Sequence, residues 1–134
     1  MTKILEGYGV RYKYVRDFSD SLAKQEIEAH LRTGNPVIFV VAAKSRKAGA
    51  VANKWTSGYH CMTMLGMTDT KKVIVADSVD RSTKTFGNNQ RIKYASLGEL
   101  IGYMFPCTNT TSTSIYWGGK ASSGGYILIN PQNQ

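Results

Sequence analysis

The distribution of apolar and polar residues divides the chain into short strands joined by polar loops, with helical patterns in two places. The second helical segment begins with Ser96 and Glu99 at the spacing of a capping box, in which each side chain satisfies the other residue's backbone N–H. Most strand patterns follow the first helix and are close enough in sequence to form hairpins. The pattern therefore predicts an α+β domain with a mainly antiparallel sheet and two helices. The predicted helices are residues 22–31 and 97–104, and the predicted strands include residues 9–15, 36–42, 58–66, 73–78, 91–94, 114–117 and 125–129.

The first helix and the segment after it have clear burial patterns. Ala23, Ile27 and Leu31 lie on one stripe of the helix. His30 lies beside this stripe, so we interpret it as a partly buried helix residue and not as a catalyst. Residues 36–42 then form a continuous apolar run, which is typical of a central strand covered on both faces.

Residues 58–66 and 73–78 predict a hairpin whose strands flank the polar residues 67–72. A turn centred between Thr68 and Asp69 brings opposed side chains to Cβ distances of about 4.5–5.5 Å on one face. A carboxylate beside an imidazole at that spacing orients the ring and stabilises its protonated form, as in a catalytic triad. A register slip of one residue would put the two groups on opposite faces, and a structural ion pair is the alternative interpretation. The predicted opposed pairs are His60 with Asp77, Met62 with Val75, and Met64 with Val73.

A basic stretch at residues 43–57 separates the predicted central strand from the hairpin. It is rich in lysine, arginine and small residues, so we expect an exposed loop. Trp55 comes shortly before His60, which favours a position on the wall of a groove beside the candidate site. The candidates for substrate contacts are therefore Lys54, Trp55 and Tyr59. The alternative is that the charges of residues 43–57 simply face solvent.

The bulk composition is that of one folded domain. With 134 residues, of which 42% are hydrophobic and 19% charged, the chain can bury a core, and we take residues 1–134 as a single domain. The formal net charge of +8 favours contact with polyanions such as nucleic acid, acidic cell-wall polymers or an anionic membrane surface. A solvated basic face without a specific partner is the commoner explanation of such a charge.

The cysteine content argues against a metal site or a disulfide framework. The chain has two cysteines, Cys61 and Cys107, which form no Cys-x-x-Cys pair. We therefore expect neither zinc nor another cofactor. A single disulfide between the two cysteines is an alternative that the sequence permits. The first residues lack the long apolar core of a signal peptide, and no segment reaches membrane-spanning length. We therefore expect a soluble chain, which would need separate delivery to act at a bacterial cell wall.

Three motifs follow one another along the chain: Leu31-x-x-Gly34-x-Pro36-Val37-Ile38-x-Val40, Tyr59-His60 with Gly66 six residues beyond the histidine, and Val73-x-Val75-x-Asp77. Their order resembles one branch of the papain-like cysteine peptidases, which includes the double-glycine leader peptidases that process bacteriocins and related bacterial and phage proteins. The likeness extends over residues 7–129. It implies the C-terminal, sheet-bearing lobe of a papain-like fold, with His60 as general base and acid and Asp77 as its orienting carboxylate.

The sequence departs from this family in its cysteines. In the family, the nucleophilic cysteine opens a helix well before the matching region, and a glutamine just upstream helps form the oxyanion hole, whereas here no cysteine precedes Cys61. The resemblance therefore implies that residues 1–134 lack the N-terminal helical lobe that carries the nucleophile. Cys61 is expected to face away from His60, because adjacent strand residues point to opposite faces, and to be a small buried residue opposite Ala76. Two alternatives for the nucleophile remain within this chain: Cys107, which lies in a Thr-rich loop, and a serine.

Three functions are compatible with the sequence. The first is part of a bacterial or phage cysteine peptidase or amidase, such as an endolysin, that cuts a peptidoglycan cross-bridge or a leader peptide, with its thiol supplied by another segment or a separate docking chain. The second is a catalytically inactive module that binds peptides. The third is a small basic nucleic-acid-binding or inhibitor protein, which the interleaved tyrosines and basic residues at 8–16 permit.

Overall fold

The computed structural model of the protein describes residues 1–78, 91–106 and 124–132. In these residues the chain folds into one six-stranded sheet with three helices, so the predicted α+β class is confirmed. The helices are α1 (Thr2–Gly7), α2 (Asp20–Arg32) and α3 (Leu97–Tyr103), and the strands are β1 (Tyr12–Val15), β2 (Val37–Ala42), β3 (Tyr59–Met67), β4 (Lys72–Ala76), β5 (Ile92–Ser96) and β6 (Tyr126–Ile129).

Across the sheet the strand order is β1-β6-β2-β3-β4-β5, and each neighbouring pair is antiparallel. The strand predicted at residues 114–117 lies outside the described residues, and α1 has no counterpart in the sequence prediction. None of the three helices has the length and apolar character that a membrane crossing requires. The six described strands therefore supply the frame on which the candidate site is built.

Serine caps fix where the two longer helices begin. Ser19 Oγ accepts a hydrogen bond from the backbone N–H of Leu22 at 3.4 Å, and Ser96 Oγ accepts one from the backbone N–H of Glu99 at 3.2 Å. These caps satisfy N–H groups that have no partner within the helix. The serine half of the predicted capping box is thus present, while the Glu99 carboxylate forms an ion pair with Lys54.

The apolar stripe of α2 is buried, as predicted. Ala23 and Ile27 are fully buried, and Leu31 is 4% exposed. His30 is also buried, and its Nε2 lies 3.2 Å from the backbone oxygen of Pro36, which ties the end of α2 to the start of β2. The interpretation of His30 as a buried helix residue is therefore confirmed.

The core lies between α2, α3 and one face of the sheet. β2 is a central strand between β6 and β3, as predicted, but Ile38 and Val40 on its second face keep part of their surface exposed. Each fully buried aliphatic side chain contributes about 1.5–3 kcal/mol relative to an exposed one, so this one-sided core carries most of the apolar stabilisation. Its strand residues include Val37, Phe39 and Val41 of β2, Met62 and Met64 of β3, and Val73 and Val75 of β4.

The hairpin between β3 and β4 has a different register from the predicted one. Val75 pairs with Met64 instead of Met62, a displacement of two residues along β3. Nearer the turn, Val73 pairs with Met67 instead of Met64, a displacement of three. The two displacements differ by one because a β-bulge lies between the two pairs.

The turn explains the change of register. Thr-Asp does not suit a two-residue hairpin loop, which favours Asn-Gly or Asp-Gly. The loop instead spans residues 68–71, with Lys71 in the left-handed region at φ 62°. Thr68 closes this loop, because its backbone N–H donates to the Lys72 oxygen at 2.8 Å and its Oγ1 accepts from the Lys72 N–H at 3.0 Å.

Candidate active site

His60 and Asp77 share a face of the sheet although the predicted register is wrong. Side chains alternate between faces along a strand, so an odd displacement separates two residues that an even displacement keeps together. The displacement of three next to the turn would have put the two groups on opposite faces. The bulge reduces it to two, which places Asp77 diagonal to His60, one residue beyond the end of β4.

The two side chains form a direct hydrogen bond. His60 Nε2 lies 2.6 Å from Asp77 Oδ1, the Asp77 side chain is 1% exposed and the imidazole is 14% exposed. A backbone hydrogen bond of 2.7 Å from the Asp77 N–H to the Arg91 oxygen fixes the strand end that carries the carboxylate. Because Nε2 is hydrogen-bonded to the carboxylate, Nδ1 is the ring nitrogen that can exchange a proton with a reacting group. The imidazole is thus oriented from its buried side and reachable from solvent.

A third charged side chain, Lys93 of β5, completes the buried group and was not predicted from the sequence. Its Nζ lies 3.1 Å from Asp77 Oδ2, and its side chain is 2% exposed. In β5 the apolar Ile92 and Tyr94 point outward, at 41% and 58% exposure, while Lys93 and Ala95 are buried. This strand inverts the usual rule that apolar residues face the core. An indirect sequence signal exists, because a buried aspartate requires compensating partners and the next strand offers a lysine.

The charges within this group balance. Asp77 has a buried ammonium at one oxygen and an imidazole at the other, so a neutral His60 gives a net charge of zero. Removing one member of a buried ion pair leaves an uncompensated charge, which is strongly unfavourable. Protonation of His60 would add one positive charge, which water can solvate because the ring is partly exposed. The arrangement therefore offers a ring nitrogen for proton transfer beside a carboxylate that is held from both sides.

The other predicted contact residues occupy different environments. Trp55 is fully buried in the core, so it does not lie on the wall of a groove, whereas most of the basic loop that carries it is exposed, as predicted. Burying an indole removes a large apolar surface from water, which outweighs the tendency of the surrounding loop to stay in solvent. Lys54 is paired with Glu99, and its Nζ lies 5.7 Å from the Trp55 ring centroid. Tyr59 is 58% exposed, and strand alternation places it on the face opposite to His60.

Cys61 faces away from His60, as predicted, because the two are adjacent residues of β3. It is exposed, however, so the expectation of a buried cysteine is wrong. The expected pairing with Ala76 is also wrong, because the register shift puts Thr63 opposite Ala76. Cys61 instead pairs with Val40, on the sheet face that is only partly covered.

The thiol of Cys61 is accessible but not activated. Although the residue as a whole is exposed, partial burial of its thiol raises the thiol pKa, and the positive charge of the N-terminal amine acts in the opposite direction. A raised pKa leaves less of the thiolate, which is the reactive form. Cys61 borders a cavity of about 350 Å³ whose walls include Met1, Tyr14, Val40 and Ile127.

Two further points from the sequence concern the second cysteine and metal ligands. Cys107 lies outside the described residues. Within residues 1–78, 91–106 and 124–132, no cluster of three or more histidine, cysteine, aspartate or glutamate side chains is placed to hold a metal ion. The described site offers an imidazole, a carboxylate and an ammonium, which are groups of acid–base chemistry.

Comparison with known proteins gives a match at the level of the family. No curated protein matches the chain. The sequence profile of the Peptidase_C39 like family matches residues 1–100, a span that includes His60, Asp77 and Lys93 and covers well over half of the 134 residues. The chain therefore belongs to the Peptidase_C39 like family and contains a cysteine-peptidase-like domain.

Proposed function

We propose that this domain supplies the general base of a cysteine-peptidase-type acyl transfer, with His60 as base and acid and Asp77 as the carboxylate that orients it. The observation that carries the proposal is the 2.6 Å contact between His60 Nε2 and Asp77 Oδ1, in which the carboxylate is buried and the ring reaches solvent. A base must be able to reach the group whose proton it takes, and this ring has an accessible edge. A structural ion pair needs no such access.

In this mechanism Nδ1 of His60 takes the proton from a thiol, and the thiolate sulfur attacks the carbonyl carbon of an amide. The tetrahedral intermediate collapses when His60 gives that proton to the leaving amine, which leaves an acyl thioester. Water then loses a proton to His60 and attacks the thioester, and the thiol leaves with that proton. Asp77 holds the ring tautomer with hydrogen on Nε2 and stabilises the imidazolium in both steps.

The thiol has to approach the sheet face that carries His60. Since Cys61 belongs to the other face, we propose that another segment of the protein or a separate chain supplies the thiol, with Cys107 as the alternative within this chain. The same observation favours a second candidate function, a peptidase-like module that binds peptides without cleaving them. The two candidates differ in whether His60 acts on a thiol.

For the substrate we propose peptide bonds of bacterial peptidoglycan, in a lytic protein of a bacterium or phage. The net charge of +8 suits the acidic polymers of a cell wall. A double-glycine leader peptide is the alternative substrate, as in the bacteriocin-processing branch that the sequence resembles. The proposed contact is Lys54, whose ammonium lies near the ring of the buried Trp55, whereas Tyr59 lies on the face opposite to His60 and is not retained as a contact.

The test supplies the thiol from outside. In a Cys61→Ser/Cys107→Ser background, the purified chain is mixed with 2-mercaptoethanol and p-nitrophenyl acetate, and released p-nitrophenol reports thiolysis of the ester. We expect the protein to accelerate thiolysis and His60→Ala to lower the catalysed rate about ten-fold or more, because a positioned base typically contributes about 10²–10⁴-fold. Asp77→Asn should also lower it, since the ring loses its orienting anion. A parallel reaction without 2-mercaptoethanol measures direct attack by water or by His60.

Equal thiolysis rates with the cysteine-free protein and its His60→Ala variant would overturn the peptidase proposal. If the protein then also sediments with purified peptidoglycan, the binding module is supported instead. The unmodified chain is tested separately for release of new amino termini from peptidoglycan and from a double-glycine peptide. Release that disappears in Cys107→Ser would identify Cys107 as the nucleophile, and the substrate that is cut would identify the substrate class.

A further inference from the structure

Asp77 contacts a different partner with each of its carboxylate oxygens. Oδ1 lies 2.6 Å from His60 Nε2, on the β3 side, and Oδ2 lies 3.1 Å from Lys93 Nζ, on the β5 side. The side chains are 14% exposed for His60, 1% for Asp77 and 2% for Lys93. Both contacts together fix the plane of the carboxylate between two strands.

We propose that Lys93 is a positioning residue for His60 that acts through Asp77: it holds the carboxylate in place and keeps the imidazole in its neutral, proton-accepting form. This inference rests on the proposed function, because it takes His60 as the base of the reaction. Lys93 touches neither the thiol nor the substrate in this scheme.

The reason is the charge that the three side chains carry together. With a neutral imidazole, one carboxylate and one ammonium cancel. An imidazolium leaves a net positive charge beside an ammonium that is itself buried, which is unfavourable. If an apolar residue replaced Lys93, the carboxylate and the imidazolium would cancel instead, and the protonated ring would be favoured. Lys93 thus decides which form of the imidazole the site stabilises.

Among the residues that the structure describes, the charged and titratable groups of α2 and α3 that lie nearest to this site have partners of their own. Arg91, just before β5, is exposed, where solvent and salt screen its charge. Lys93 is therefore the buried cation whose removal changes the charge of the site most. The other contacts are Glu99 of α3 with Lys54, Asp20 of α2 with Arg46, and His30 of α2 with the backbone oxygen of Pro36.

The surroundings of Lys93 would also accept an apolar side chain. Lys93 is opposite Val75, which is fully buried, and Ala95 is the next buried residue of β5. Replacing a whole buried ion pair with apolar residues is often neutral or stabilising, whereas removing one partner leaves a buried charge. With Lys93 replaced, Asp77 would still contact His60, whose imidazolium form would compensate the carboxylate. The ammonium is therefore not required by the packing of this strand, and its distinct consequence is electrostatic.

The test follows the protonation of His60 by NMR in the full chain, with Lys93→Met as the variant because methionine is similar in length and uncharged. We expect the pH at which the His60 ring is half-protonated to rise by about one to two pH units, since unit charges a few ångströms apart interact strongly even at an effective dielectric constant near 20. The matched control is Lys72→Met on β4, which removes an exposed positive charge. There the shift should stay below about 0.3 pH units.

Lys93→Gln is the second variant, because its amide can still donate a hydrogen bond to Asp77 Oδ2 while carrying no charge. It replaces Lys93→Met if that variant does not fold. A His60 titration within about 0.3 pH units of the original protein, in either folded variant, would overturn the proposal. Failure of both variants to fold would also count against it, since the lysine would then act on the fold itself.

This readout separates the inference from the proposed function. Titration requires no thiol and no substrate. The expected shift without His60-dependent thiolysis would support the electrostatic link from Lys93 to His60 and reject the peptidase proposal. Thiolysis without the shift would support the peptidase proposal and reject the role of Lys93.

Discussion

The two faces of β3 differ at neighbouring residues. His60 lies on the face covered by α2 and α3, where Asp77 and Lys93 form paired, buried charges beside it. Cys61, the next residue, lies on the opposite face, where its thiol is accessible and borders a largely apolar cavity. One backbone step separates an imidazole that is hydrogen-bonded to a buried carboxylate from a thiol on the other side of the sheet.

This difference shows that residues adjacent in a strand belong to different side-chain clusters of the folded protein. Adjacent residues point to opposite faces, whereas residues on neighbouring strands share a face and touch. The His60 site accordingly takes one residue from β3, one from the end of β4 and one from β5. We expect substitutions on the helix-covered face to be costly and substitutions on the Cys61 face to be nearly neutral.

The largest expected effect follows from removing the central anion. Asp77→Leu leaves the Lys93 ammonium buried without its carboxylate, so we expect a loss of about 3–5 kcal/mol in the free energy of unfolding. Urea unfolding followed by circular dichroism measures it. Asp69→Ala, in the exposed hairpin loop, is the matched control and should change stability by less than about 0.5 kcal/mol. A loss below about 1 kcal/mol for Asp77→Leu would mean that the ammonium reaches solvent or another partner.

The next effect compares two apolar neighbours on β3. Met64 is fully buried on the helix-covered face, while Leu65 is 45% exposed on the other. We expect Met64→Ala to lower the free energy of unfolding by about 2–5 kcal/mol, because a cavity is left in the core. Leu65→Ala should change it by less than about 0.5 kcal/mol in the same urea experiment. Similar losses at the two positions would show that the second face is covered more fully than the described residues indicate.

A partly exposed acid on α2 gives a smaller, pH-dependent effect. Burial pushes the pKa of Glu26 upward, but hydrogen bonds from Tyr126 and Lys13 outweigh it, so the pKa lies below its ordinary value of 4.5. A lowered pKa means that the ionised Glu26 stabilises the fold above that ordinary value, and that this stabilisation is lost as the pH falls through the pKa in the folded protein.

We therefore expect Glu26→Gln to lower the melting temperature by about 2–4 °C at pH 7, and the difference from the original protein to shrink as the pH approaches 3. Thermal unfolding between pH 7 and pH 3 measures both quantities. Asp69→Asn, in the exposed hairpin loop, makes the same change in net charge and serves as the control. A difference that stays the same over this pH range would contradict the assigned role of Glu26.

The smallest expected effect is at Cys61. Cys61→Ser should change the free energy of unfolding by less than about 0.5 kcal/mol and leave His60-dependent thiolysis unchanged. Because burial raises the pKa of the Cys61 thiol, alkylation by iodoacetamide should be slower than for a free cysteine at neutral pH and accelerate as the pH rises. Mass spectrometry of the modified peptide follows the rate. Rapid alkylation near pH 7 would contradict the assignment of an unactivated thiol.

The hairpin shows how far sequence patterns predict a site and where they stop. The two strands and both members of the His60–Asp77 pair follow from local composition. Their register does not, because it depends on the hydrogen bonds that Thr68 forms and on a bulge between Met64 and Gly66. His60 and Asp77 nevertheless lie on the same face, as predicted, because the longer turn and the bulge together displace the register by an even number of residues.

By itself, the sequence determined the features whose signals are local: the Ser96 cap, the buried stripe of α2, the apolar run of β2 and the alternation that separates His60 from Cys61. Only the tertiary structure decided that Trp55 and Lys93 are buried, and that β5 turns its apolar Tyr94 to solvent. The physical reason is that burial depends on all neighbours at once. A lysine in the core is favourable only when a carboxylate from another strand reaches it, and no local pattern contains that contact.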